Sequence, residues 1–290
     1  MTSAHTRSVP FKQVDVFTAV PFRGNPVAVV LDGNNLTTSQ MQSIAAWTHL
    51  SETTFVCLST HTDADYRLRI FTPTRELPFA GHPTIGSAWA VLQHGLNPKT
   101  PGRLVQECGK GLIAIRLAGP RIFFALPIPE LTAPDAAQLA AAATALGLTA
   151  DEILRSALVD VGPVWYTLQL ASAERVLALS PNIALMTALG NANYAGITVF
   201  GLHATGSADA VEVRSFAPAC GVLEDPVCGS GNGCVAALIR QHRVLTVSGY
   251  VASQGRCLGR DGHIAVEYET DGTIWLGGHA VTCVDGSISV

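Results

Sequence analysis

Glu52 stands in the run Leu50-Ser51-Glu52-Thr53-Thr54-Phe55-Val56, with no other charge beside it. A carboxyl group in apolar, partly dry surroundings holds its proton more tightly, which suits a general acid/base near neutral pH. The bland alternative is a surface or N-capping glutamate. His82, in Gly81-His82-Pro83-Thr84, sits where a helix begins, and the helix dipole there disfavours the protonated ring. A neutral imidazole can orient a substrate or relay a proton, or it can simply cap the helix. Asp225 precedes Pro226, so it either accepts a bond from a substrate amine or hydroxyl or only shapes a turn. Ser230 can donate to a carboxylate beside helix N–H groups or serve as an N-cap. Cys228 opens Cys-Gly-Ser-Gly; a thiol at a helix start is expected to have a lowered pKa and to be able to abstract an α-proton. The matching place in the first half holds Gly81-His82 and no cysteine, so a two-thiol racemisation has no second base.

The elements that position these residues are written twice. Arg69-x-Phe71-x-Pro73, an acidic proline-bearing connection, Gly81-His82-Pro83-Thr84-Ile85-Gly86 and an apolar run come first. Arg214-x-Phe216-x-Pro218, a longer connection with Glu224-Asp225-Pro226, Cys228-Gly229-Ser230-Gly231-Asn232-Gly233 and another apolar run follow. Proline near a helix start costs nothing, because the missing N–H had no partner there. Helix starts carry open N–H groups and partial positive charge, so Gly81, Gly229 and Gly231 mark two places suited to a carboxylate. Gly229-x-Gly231-x-Gly233 matches neither a dinucleotide fingerprint nor a P-loop. Helical spacing is expected over Thr38–Thr48 and 134–148. Strands are expected at 11–17, 26–31, 53–58, 66–71, 104–108, 112–117, 121–126, 165–170, 196–202, 210–216, 250–253, 263–268 and 273–277. Strands outnumber helices without regular alternation, so the class is α+β rather than a doubly wound sheet. The expected domains are 1–128 and 129–280, joined near Pro127-Ile128-Pro129, with 281–290 returning to the first.

Composition excludes several classes. The chain has 290 residues, 48% hydrophobic and 14% charged, enough for a sizeable core. A net charge of −4 without a basic run argues against nucleic-acid and membrane-surface partners. No stretch of about 18 apolar residues appears, and Met1 to Pro10 does not read as a signal peptide. Seven cysteines without a Cys-x-x-Cys pair fit a reducing cytoplasm, and the histidines lack zinc-like spacing, so no metal is expected.

Taken together, these motifs resemble the phenazine-biosynthesis isomerase (PhzF-like) family, which shares the diaminopimelate-epimerase fold. The pieces are Val14-Asp15-Val16-Phe17 with Gly24-Asn25-Pro26, Ser51-Glu52-Thr53-Thr54-Phe55, Gly81-His82-Pro83-Thr84, Arg214-x-Phe216-Ala217-Pro218 through Ser230, Gln254-Gly255 with Arg260, and Gly277-Gly278. The resemblance implies two similar domains, each a curved, mostly antiparallel sheet or barrel around a central helix. It implies a site in the cleft between them, a homodimer, and cofactor-free proton transfer within a small acidic metabolite. In the phenazine enzyme the substrate is a dihydro-hydroxyanthranilate. The catalytic glutamate falls on Glu52, the substrate-orienting residues on His82 and Asp225, and a polar site residue on Ser230. The carboxylate is expected at Gly81, Gly229, Gly231, Ser230 and Cys228. Cys-Gly-Ser-Gly also looks like a catalytic motif of diaminopimelate epimerases and proline racemases, so an epimerase or dehydratase using Cys228 is the alternative. A ligand-binding protein without turnover is another.

Overall fold

The computed structural model describes residues 7–189 and 194–290. The chain forms two compact units: the first comprises the chain up to Phe22, Pro26–Phe124 and Gly278–Val290, the second Arg23–Asn25 and Ala125–Gly277.

In the first unit the elements are β1 (Ser8–Val16), β2 (Asn25–Val30), α1 (Thr38–Thr48), β3 (Thr53–Cys57), β4 (Tyr66–Phe71), β5 (Glu76–Leu77), α2 (Gly81–Gln93), β6 (Arg103–Cys108), β7 (Gly111–Ala118) and β8 (Arg121–Ala125). The carboxy-terminal strand Ala280–Ser289 pairs antiparallel with β1. From it the order runs β1–β2–β3–β4–β6–β7–β8, with β2–β3 and β4–β6 parallel. Side chains from Gly81 to Val91 on α2 are nearly all buried. A helix apolar on every side must be enclosed, and α2 packs against β1, β3, β4 and the carboxy-terminal strand.

The second unit contains β9 (Glu130–Thr132), α3 (Ala136–Leu146), β10 (Arg155–Asp160), β11 (Val164–Gln169), α4 (Ala173–Leu177), α5 (Ile183–Leu189), β12 (Gly196–Leu202) and β13 (Val211–Ala217). It continues with β14 (Val222–Asp225), α6 (Gly229–His242), β15 (Gly249–Gln254), β16 (Gly262–Tyr268) and β17 (Ile274–Gly278). The order β9–β10–β11–β12–β13–β15–β16–β17, with β11–β12 and β13–β15 parallel, repeats the first unit strand for strand. The class is α+β, as expected, and α6 is buried from Gly231 to Ile239 just as α2 is. Among the described residues no helix is long and apolar enough to cross a membrane.

The repeated arginine motif has a structural reason. Arg69 grips Glu76 of β5 with two bonds of 2.7 and 2.6 Å, and its guanidinium lies over Phe71, 5.1 Å from the ring centre. Arg214 grips Glu224 of β14 through two bonds of 2.9 Å and lies 4.9 Å over Phe216. The acid stands 7 residues after its arginine in one copy and 10 in the other. Each arginine pins the short strand that leads into the buried helix.

Local signals set the helix that precedes Glu52. Thr37 caps α1 in a reciprocal box with Gln40. His49 ends it in the left-handed conformation at φ 56°. The chain then returns through Ser51-Glu52 to β3, bracketed by a 2.6 Å contact between the Thr48 and Thr53 hydroxyls.

Candidate functional site

Glu52 lies at the head of the parallel β2–β3 pair, where its carbonyl accepts from the Ala28 N–H at 3.4 Å. That clamp fixes the backbone and aims the side chain at the start of α2. Glu52 Oε2 stands 3.4 Å from His82 Nε2, with the glutamate side chain 16% exposed and the histidine 5%. Burial lowers the His82 pKa, against the opposing pulls of Glu52, a hydrogen bond with the Pro26 backbone and buried Asp15. The expected neutral ring is therefore present, but burial is the main cause. A neutral imidazole has one N–H. With that N–H on the Pro26 carbonyl, Nε2 presents a lone pair to Glu52. Glu52 Oε2 and Ser51 Oγ are also buried without a hydrogen-bond partner in the structure. Buried polar atoms of that kind call for an incoming group. The α2 N-cap is Ala80, which has no side-chain oxygen, so Gly81 opens a helix start that no side chain closes.

The second unit gathers Asp225, Cys228, Gly229, Ser230 and Gly231 at the start of α6. Asp225 Oδ1 accepts from Asn25 Nδ2 at 2.9 Å and from the Val227 N–H at 3.1 Å, so its turn-forming role is realised. Gln254 ties the turn together: Nε2 donates to the Asp225 carbonyl, while Oε1 accepts from Cys228 N–H and Asn232 Nδ2. Gly255, at φ 102°, is required there, since a Cβ would come within 2.5 Å of the Pro226 carbonyl.

Cys228, not Ser230, is the N-cap of α6, its sulfur accepting from Gly231 N–H at 3.3 Å. The thiol pKa is pushed well up rather than lowered. Full burial is the first cause and the nearby Asp225 charge the second, and together they outweigh the helix-start amide. Gly231 has its N–H committed to that cap, and its Cα faces Ser215 Oγ closely enough that a Cβ would lie 2.5 Å away. It is a packing glycine as much as a binding one. Ser230 is half-buried and accepts from the Trp165 indole N–H at 3.0 Å.

Trp165, Gln254 and Asp15 have functional surroundings that the motifs alone do not assign. Asn25 and Gln254 carried a signal as parts of short motifs, but only their long-range bonds say what they do. Among the described residues no cluster of three or more His, Cys, Asp or Glu side chains is arranged to hold a metal ion.

The chain is similar to known proteins along nearly its whole length. The family described as phenazine biosynthesis-like protein matches residues 14–286. Antisense-enhancing sequence 1 of Schizosaccharomyces pombe is 41% identical, covering 95% of this chain and 97% of its own. The trans-2,3-dihydro-3-hydroxyanthranilate isomerase of Pseudomonas fluorescens is 38% identical over 79% of each chain. A PhzF-family crystal structure from Bacillus anthracis superposes with a TM-score of 0.84 at 23% identity, over 98% of this chain and 100% of that one. A hydroxyproline epimerase from Agrobacterium vitis, 12% identical, gives a TM-score of 0.64 over 98% of this chain and 93% of its own. The last two likenesses are of fold, and the fold is diaminopimelate-epimerase-like.

Proposed function

This chain belongs to the phenazine biosynthesis-like family and is an isomerase; we propose that it moves a proton between carbons of a small carboxylate-bearing metabolite, with Glu52 as the acid/base. The observation that carries this is the buried Glu52–His82 pair, with Oε2 and Nε2 3.4 Å apart at an uncapped helix start. Glu52 takes the proton from an activated carbon, the electron pair shifts along the conjugated system, and the same carboxyl group returns the proton further along. His82 receives or supplies a hydrogen bond as the carboxyl group changes charge, and Asp225 orients polar substituents. Ser230 and the open N–H groups at the start of α6 contact a carboxylate. No atom is gained or lost, as an isomerisation demands.

Cys228 does not share the acid/base role in this reading. A thiol held protonated by burial and by a neighbouring carboxylate is a poor base.

The test is deuterium uptake. Trans-2,3-dihydro-3-hydroxyanthranilate, the compound in the Pseudomonas fluorescens relative's name, is incubated with the protein in heavy water, alongside other small cyclic acids. Glu52→Gln should lower turnover and exchange by about a hundred- to ten-thousand-fold while ligand binding persists. Exchange at the unaltered rate would remove Glu52 from the chemistry.

A further inference from the structure

The first turn of α6 contains a chain of hydrogen bonds whose directions follow from its members. Trp165 on β11 is 4% exposed, and its indole N–H points at Ser230 Oγ, 65 residues away in sequence, at 3.0 Å. An indole N–H can only donate. It therefore occupies one lone pair of the Ser230 oxygen and turns the hydroxyl proton away from itself. The hydroxyl also contacts Cys228 Sγ at 3.6 Å, which already accepts from Gly231 N–H. Sulfur is a weak acceptor. The hydroxyl is only half-buried, so an anionic oxygen arriving at the helix start is a better acceptor than the thiol.

We propose that Trp165 is a positioning residue: its indole N–H fixes the Ser230 hydroxyl as a donor and so makes this helix start favour a carboxylate over a carboxamide. The inference rests on the reading of Ser230 as a carboxylate contact. Without the indole, Ser230 is free to rotate and to accept from an amide NH2 with either lone pair. With it, one lone pair is filled and the oxygen is held in place against the buried wall of β11. Phenylalanine keeps an aromatic ring in place of the larger indole, so Trp165→Phe removes the donor while leaving part of the packing.

The experiment measures binding of anthranilate and of 2-aminobenzamide, an acid and an amide of the same shape, by calorimetry. The proteins are wild type, Trp165→Phe, Ser230→Ala and the double variant. Wild type should favour the acid. Trp165→Phe should reduce that preference by about 5- to 10-fold, the scale of one hydrogen bond. The double variant should be no worse than Ser230→Ala, because the indole acts through the hydroxyl. In a 15N spectrum the Trp165 indole N–H signal, identified by its loss in Trp165→Phe, should move upfield in Ser230→Ala. If Ser230→Ala loses the preference but Trp165→Phe keeps it, the role of Trp165 is overturned and the reading of Ser230 stands. If Ser230→Ala also keeps it, or wild type shows none, both are overturned.

Discussion

The two copies of the arginine motif make the same bonds in different surroundings, and stability should register the difference. In the second copy the side chains of Arg214 and Glu224 are 7% and 11% exposed. Arg214 also donates to the carbonyls of Val176 and Leu179, at 3.2 and 2.8 Å, joining α4 to β13. Replacing it by methionine, which keeps the aliphatic stem, leaves a buried carboxylate unpaired and two carbonyls without their donor. Breaking a buried pair in this way costs about 3–5 kcal/mol. In the first copy Arg69 is 18% exposed and Glu76 40%, so water can take over from the lost partner. A pair of that kind contributes about 1 kcal/mol or less. Urea denaturation followed by tryptophan fluorescence should place Arg214→Met far below wild type and Arg69→Met close to it. The thermal midpoint of Arg214→Met should fall by about 10 °C, using roughly 2–4 °C per kcal/mol for a unit of this size. Arg214→Met/Glu224→Met should recover much of the loss, since the isolated charge is then gone. Equal losses from Arg69→Met and Arg214→Met would refute the argument that burial, rather than the ion pair itself, sets the cost.

Two further outcomes follow from the site. Cys228→Ser should retain most of the isomerase turnover, because serine caps α6 as the thiol does and the thiol is kept protonated; loss of exchange with folding intact would restore a thiol base. His82, whose pKa burial holds below the ordinary 6.5, is neutral in the folded state while the unfolded chain takes up a proton more readily. Its contribution to stability is therefore complete above about pH 6.5 and is lost as the pH falls below that value toward the folded-state pKa. The drop in urea midpoint between pH 8 and pH 5 should be smaller in His82→Gln than in wild type, and an equal drop would mean that His82 is not the group responsible.

Much of the fold was legible because its signals are local. Helical spacing places α1 at Thr38–Thr48, and runs of β-branched and aromatic residues place β4 at Tyr66–Phe71 and β12 at Gly196–Leu202. The repeated Arg-x-Phe-x-Pro announced a repeated design, and the repeat extends to the pairing of every strand. Less local elements escaped. Ala280–Ser289 contains Gly286 and two serines and reads as a weak strand by composition; it forms because β1 supplies a partner along its whole length. β10 was not read either, being bounded by charged residues that sit at its half-buried ends.

The site divides along the same line. Short motifs that carry the family resemblance singled out Glu52, His82, Asp225 and Ser230, and residue types and neighbours said what chemistry these and Cys228 could do, since charge in an apolar run and glycine at a helix start are visible in one dimension. Tertiary structure decided what each became. It brought Glu52 to His82 across β2–β3 and the start of α2, and joined Asn25 to Asp225 and Trp165 to Ser230 over long stretches of chain. It also reversed the expected pKa direction at Cys228. The reason is physical: proton affinity and hydrogen-bond direction depend on desolvation and on donors within a few ångströms, and those neighbours are supplied by distant strands.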